Sequence, residues 1–231
     1  MSERRTDGSV EVEAFFSADR AKAFIDAVVA IAMTLLILPL LDAITGLARV
    51  SRQVPASTWF SENWLLLLSF LISFVIIAMF WINHHRMFAR VVQVSVPLLW
   101  LNMAWLLTIV WLPVATAMTN IMDSDDPVVK ASYMGTMALT SLLAFFQELF
   151  LNRHPELHQA EPYSLLRGMA VYLAMTTLFL VALGLSIAVP VLSYFTLFLL
   201  GLTGPLSAVF DRMLGVPRER GPRRGARKAK R

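Results

Sequence analysis

Residues Gly168–Phe210 form an apolar stretch of 43 residues without a single charged side chain. As one helix this stretch would be about 65 Å long, whereas the hydrocarbon core of a bilayer is about 30 Å thick. The stretch must therefore fold back on itself. Pro190 lies near its middle and lacks the N–H that a continuous helix needs. We expect two membrane-spanning helices here, near residues 167–188 and 191–210.

Four shorter apolar runs precede this stretch, and with their apolar flanks they approach the about 20 residues of a spanning helix. They predict helices near residues 22–42, 61–82, 95–121 and 128–151. Composition agrees, because 57% of the residues are hydrophobic and only 16% are charged, against roughly a quarter in soluble domains. We therefore predict an all-α integral membrane protein whose bundle of six transmembrane helices occupies residues 20–210.

The positions of the basic residues predict the orientation of this bundle. Of the 20 Lys and Arg residues, 17 fall on the side that holds both termini. Since basic loops stay in the cytoplasm, we expect a polar cytoplasmic N-terminus at 1–19 and a basic cytoplasmic tail at 211–231. Residues 1–25 are slightly negative in charge, which favours a retained first helix over a signal peptide. The protein is thus expected in a cell membrane, the prokaryotic inner or plasma membrane.

The basic tail allows two interpretations. It holds nine of the 20 Lys and Arg residues, so it could contact anionic lipid headgroups. Equally, it could serve only to anchor the topology.

The sequence contains no recognisable catalytic constellation. We find no nucleophile with a base, no Gly-rich phosphate loop and no paired buried carboxylates, so we predict neither an enzyme nor a cofactor, and no nucleic-acid partner. There is no cysteine, and the adjacent His84 and His85 would point about 100° apart on a helix, so we expect no metal site. Packing and hydrogen bonding are the simplest roles for these histidines, and a pH-responsive role stays open.

The first predicted helix carries an unusual stripe. At about 100° per residue its members share one face, polar at both ends and apolar in the middle. Such a face suits a narrow pore that closes by dewetting, and it also suits ordinary packing in a bundle. Asp26 lies near the opposite side and needs a partner at membrane depth, either as an interhelical clamp or as part of a proton relay. The stripe consists of Arg20, Phe24, Ala27, Ile31, Thr34, Leu35, Leu38 and Asp42.

Three segments resemble a known family. Arg20-Ala-Lys-Ala-Phe24-Ile-Asp26 resembles the Arg-x-x-x-Phe-Ser-Asp motif that opens helix one in endosomal and lysosomal potassium channels of the transmembrane protein 175 type and their prokaryotic homologues. Trp81-Ile-Asn-His84-His85-Arg86-Met-Phe88 is similar to that family's loop after helix two. Asn102 and Pro113 stand where its third helix usually has Asn and Pro. The resemblance covers helices one to three, and beyond them only hydropathy agrees.

The resemblance implies a potassium-selective cation channel in which four six-helix subunits surround a pore lined by helix one. It implies a homotetramer that conducts K⁺ passively and needs no cofactor. By position, Ile31, Leu35 and Leu38 would form the hydrophobic constriction, and Thr34 would tune selectivity. The motif residues would brace helix one against helices two and three. This bracing set comprises Arg20, Phe24, Asp26, Trp81, His84 and Asn102.

One departure and two alternatives accompany this interpretation. Ile25 replaces the family's Ser, so a hydroxyl group that could join helices is lost. A proton-coupled secondary transporter using Asp26 and His84 is the first alternative, although no inverted repeat is visible. A non-conducting membrane scaffold is the second.

Overall fold

The computed structural model describes residues 16–49, 54–123, 125–189, 199 and 201–215. The prediction of an all-α membrane protein is confirmed at this level. Within the described residues, five helical segments are long and apolar enough to cross a membrane, judged by length and composition alone. They are Ala18–Leu47, Trp64–Phe88, Val96–Ile121, Pro127–Arg153 and Tyr163–Ala188.

The first of these segments is two helices rather than one. After a two-residue strand β1 (Phe16–Ser17), helix α1 spans Ala18–Leu35 and helix α2 spans Leu38–Arg49. The single helix expected over 22–42 is thus corrected to a broken one. Pro39 has no N–H to donate to the carbonyl of Leu35, so the helical ladder cannot continue past it.

The next elements form the middle of the bundle. A short helix α3 (Ala56–Glu62) leads into α4 (Trp64–Phe88), which runs beyond the predicted 61–82. A second two-residue strand, β2 (Gln93–Val94), precedes α5 (Val96–Ile121). Pro113 lies inside α5, and the helix continues through it.

The fourth candidate span begins with a short helix α6 (Pro127–Lys130), widens into a π-helical turn at Ala131–Gly135 and continues as α7 (Thr136–Arg153). A long helix α8 (Pro162–Ala188) returns, and α9 (Thr203–Met213) packs against it. The predicted helix over 191–210 lies mostly outside the described residues, and α9 covers only its end. The basic tail lies outside them from residue 216 onward.

The buried face of α1 packs against α4 and α5. Ile25, Val29 and Ala32 lie on this face and are almost fully buried. Ile25 therefore occupies the hydrophobic core, where the family motif has Ser. An apolar side chain at this position strengthens packing where a hydroxyl group could have made a polar link.

Backbone pairing joins three segments at one end of the bundle. β1 pairs antiparallel with β2, so that Phe16 lies opposite Val94. The loop after α4 also pairs with the turn after α7, where Val92 N donates to Leu157 O at 2.9 Å. The base of α1 is thus tied to the α4–α5 loop, and through it to the turn between α7 and α8.

Candidate pore-lining face and its polar braces

One face of α1 and the start of α2 is apolar and uncovered in the single chain. Ile31 is 59% exposed, Leu38 50% and Leu35 38%, although all three are large aliphatic side chains. They point away from the buried side that carries Val29 and Ala32. We call this uncovered set, Ile31, Thr34, Leu35 and Leu38, the apolar stripe.

Thr34 supplies the one hydroxyl group of the apolar stripe. Its Oγ1 donates to the carbonyl oxygen of Ile31 at 2.7 Å, one turn back on the same helix. The proton is therefore engaged by the backbone, and the oxygen of this exposed residue can still accept a hydrogen bond. Such an oxygen can accept from water or ligate a cation.

Asp26 braces α1 against α4. Its Oδ1 accepts from Trp81 Nε1 at 2.8 Å and lies 3.6 Å from His85 Nδ1. Trp81 also lies beside His85, with ring centroids 5.5 Å apart. The partner of this carboxylate is thus an indole N–H and an adjacent imidazole on α4. A hydrogen bond from a fixed indole restricts how far α1 can rotate about its axis.

His84 and Asn102 form a second brace, between α4 and α5. His84 Nε2 lies 3.0 Å from Asn102 Oδ1, and Asn102 Nδ2 donates to the carbonyl of Leu98 at 3.0 Å. The imidazole ring stacks between Trp105 and Phe88, at centroid distances of 4.0 and 4.7 Å. His84 is therefore fully enclosed, and the structure shows no hydrogen bond between it and Asp26.

The remaining motif residues lie apart from both braces. Arg20 is exposed in the first turn of α1, and Phe24 is exposed one turn later on the side of the apolar stripe. The bracing function expected for these two residues stays a prediction. Within the described part of the chain, no group of three or more His, Asp or Glu side chains is arranged to hold a metal ion.

Sequence reasoning overlooked a seam of buried hydroxyl groups along α5. Thr116 Oγ1 donates to Ser73 Oγ of α4 at 2.9 Å, and Ser73 in turn lies 2.9 Å from Tyr133 Oη. Farther along, Thr140 Oγ1 of α7 donates to Thr108 Oγ1 at 2.9 Å. Hydroxyl groups between membrane helices are typical interhelical contacts. The sequence did contain a signal for these contacts, namely small polar residues inside otherwise apolar runs.

Comparison with known proteins connects this arrangement to a family. The sequence profile described as endosomal/lysosomal potassium channel TMEM175 matches residues 20–113, which include nearly all of α1, all of α4, both braces and most of α5. A potassium channel from Streptomyces collinus is 30% identical over 135 residues, 57% of this chain and 62% of the relative. A potassium channel from a Chryseobacterium species is 33% identical over 100 residues, 42% of this chain and 46% of the relative.

Residues 20–113 of this chain, fewer than half of its 231 residues, match the TMEM175 family model. The resemblance found in the motifs is thereby confirmed, and the chain is similar to potassium channels of this family. It spans less than two thirds of the length of these two bacterial relatives.

Two solved structures have a similar fold. The homologue from Chamaesiphon minutus superposes with a TM-score of 0.59 at 23% identity, covering 85% of this chain and 97% of that one. A variant of the potassium channel MtTMEM175 superposes with a TM-score of 0.57 at 18% identity, covering 85% and 93%. At such identities the agreement concerns the fold, that of a multi-pass membrane protein.

Proposed function

We propose that this chain is the subunit of a potassium-selective channel in which four copies surround a central pore. The bacterial relatives are named potassium channels, which supports the choice of ion. A pore at a closed symmetry axis turns each residue that faces the axis into a ring. One copy of α1 cannot enclose such a path.

The apolar stripe is the observation on which this proposal depends. Ile31 is more than half exposed on a helix whose other face is fully packed. In a tetramer with α1 at the axis, Ile31, Leu35 and Leu38 become three stacked aliphatic rings. A constriction of this kind blocks ions when it is dry and conducts when it widens enough to hold water.

Thr34 and the two braces complete the proposed site. Thr34 lies between the aliphatic rings and presents an oxygen that can replace part of an ion's hydration shell. The contact Asp26–Trp81 restricts how α1 is rotated relative to α4, and the contact His84–Asn102 fixes α4 against α5. Arg20 and Phe24 belong to the same motif at the base of α1, and we assign them to the same bracing function.

The proposed orientation places both termini in the cytoplasm, because 17 of the 20 basic residues then lie inside. We place the protein in the bacterial cell membrane on the basis of its bacterial relatives. The basic tail would then lie next to the inner leaflet, where anionic lipids attract it.

Ion flux in liposomes tests the channel proposal directly. Purified protein should carry K⁺ down its gradient, faster than Na⁺, and this flux should not require a proton gradient. Uptake that occurs only when a pH gradient drives it would instead indicate the transporter. A complete lack of flux from folded tetramer would indicate the scaffold.

The contribution of the apolar stripe is tested by Leu35→Asn. An amide in the constriction should favour hydration of the pore and raise the resting flux of cations or reduce its selectivity. The matched control is Leu180→Asn, because Leu180 is an exposed leucine on α8, which packs against α7 and α9. Equal effects of the two substitutions would contradict a pore lined by α1.

A further inference from the structure

A shallow groove lies along α4 on the side away from its packed face. Ile77, Phe80 and His84 of this helix are buried in the bundle. The groove occupies the opposite side and has a volume of about 330 Å³. It is lined by Phe74, Val75, Ala78, Met79, Ile82, Asn83 and Arg86.

The groove changes chemistry along its length. From Phe74 to Ile82 its lining is apolar, and at its other end it has Asn83 and Arg86. From Phe74 to Arg86 the helix rises about 18 Å, close to the about 15 Å of one leaflet of a bilayer core. An acyl chain of one leaflet can therefore lie along the apolar part while its headgroup reaches the polar end.

Arg86 is the charged group available at this end. It is exposed and has no ion pair or hydrogen bond within the part of the chain that the structure describes. The two residues that precede it are engaged elsewhere, since His84 contacts Asn102 and His85 lies beside Asp26. A free guanidinium at the membrane interface binds phosphate in a bidentate manner.

We propose that this groove binds one anionic phospholipid per subunit, in the leaflet at the Arg86 end of α4. The acyl chain packs on Val75, Ala78 and Ile82, and the phosphate pairs with Arg86 and Asn83. This site is separate from the apolar stripe, and its occupancy does not depend on conduction. A lipid fits this groove better than a second helix does. The basic end of the groove suits a phosphate group, whereas it does not suit the hydrophobic surface of a packed helix.

Native mass spectrometry of the full-length protein tests the site. The protein is equilibrated with equal parts of phosphatidylglycerol and phosphatidylcholine, and the retained lipids are counted per subunit. We expect preferential retention of phosphatidylglycerol. Arg86→Gln should lower this retention about fivefold, the contribution of one basic residue next to an anionic surface.

Two further variants separate the possible outcomes. Ala78→Trp fills the groove and keeps Arg86, so it should reduce retention as well. Arg153→Gln removes an exposed arginine at the same end of the bundle and should leave retention unchanged. Equal loss in Arg86→Gln and Arg153→Gln, or full retention in Ala78→Trp, would overturn the proposal. So would dissociation of the oligomer by Ala78→Trp, which would identify a second copy as the occupant.

Discussion

Gly168 and Glu148 meet where α8 packs against α7, and they show how tightly single residues define this bundle. Glu148 is only 4% exposed, and its Oε2 has no hydrogen-bond partner within the described residues. Its carboxyl group fits because Gly168 has no side chain. Arg90 lies close enough for its charge to act on the carboxyl group.

A methyl group at Gly168 should destabilise the fold. The Cβ of Gly168→Ala would lie 2.7 Å from Glu148 Cδ, and a buried carboxyl group has no solvent to move into. We expect a loss of about 1–3 kcal/mol from overpacking. Gly184→Ala is the matched control on the same helix, because its Cβ would meet no atom within 4 Å. This control should be neutral or slightly stabilising, and thermal unfolding in detergent separates the two results.

The brace between His84 and Asn102 should matter more than a similar contact at the surface. Asn102→Leu leaves the enclosed imidazole without its partner, which should cost about 1–3 kcal/mol of unfolding free energy. Asn120→Leu is the comparison, because Asn120 Nδ2 also bonds to α4, at 2.8 Å from Ser69 Oγ, but is exposed. Denaturant titration in detergent should show the smaller loss for Asn120→Leu. Equal losses would mean that enclosure of the brace adds nothing.

At the scale of elements, hydropathy was sufficient for the spans because it depends only on runs of side chains. The charge-free runs led to all five of the described candidate spans, and the 100° periodicity led to Ile31, Leu35 and Leu38, which the structure leaves exposed. The turn between α1 and α2 was overlooked, although Pro39 was visible. A single proline inside a membrane helix is ambiguous, since α5 continues through Pro113.

Contacts between elements were harder to predict than the elements themselves. The sequence shows that Asp26 needs a partner, but only packing decides that Trp81 and His85 reach it. The pairing of β1 with β2 involves two residues per strand, too few for any alternation to be recognised. The proximity of Glu148 to Gly168 depends on the relative rotation of two apolar helices, which hydropathy does not specify.

Lys130 ties α6 to α8 and allows a prediction about elements. It is 1% exposed, and its Nζ donates to Asp125 Oδ1 at 3.0 Å and to the carbonyl of Ser186 at 2.9 Å. Only the lysine of this pair is buried, because the Asp125 side chain is 60% exposed. Asp125→Ala leaves the buried Lys130 charge with one acceptor fewer and should destabilise the protein by about 1–3 kcal/mol, whereas Lys130→Met removes the buried charge itself and should be close to neutral. Thermal unfolding of both variants measures the difference, and the reverse order would show that Lys130 does not depend on Asp125.

At the scale of the whole molecule, the decisive question is whether the apolar stripes of several chains meet. The chain has no cysteine, so every introduced thiol is unique. Disulfides form only when Cα atoms come within about 7 Å. If α1 surrounds a narrow axis, Leu35→Cys should cross-link neighbouring subunits upon mild oxidation in membranes. The same stripe facing lipid would bring the thiols together only by collision.

The control for this cross-linking lies on the same helix. Val29→Cys places a thiol on the packed face of α1, where the residue is 1% exposed, and should give no cross-linked dimer. Leu180→Cys places one on an exposed surface of α8 and reports random collision. In one chain, a leucine that faces lipid and a leucine that faces the axis are equally exposed. Rapid dimer formation by Leu35→Cys alone would therefore locate the axis at α1. Dimer formation at the same rate by Leu180→Cys would remove the structural basis for the proposed pore.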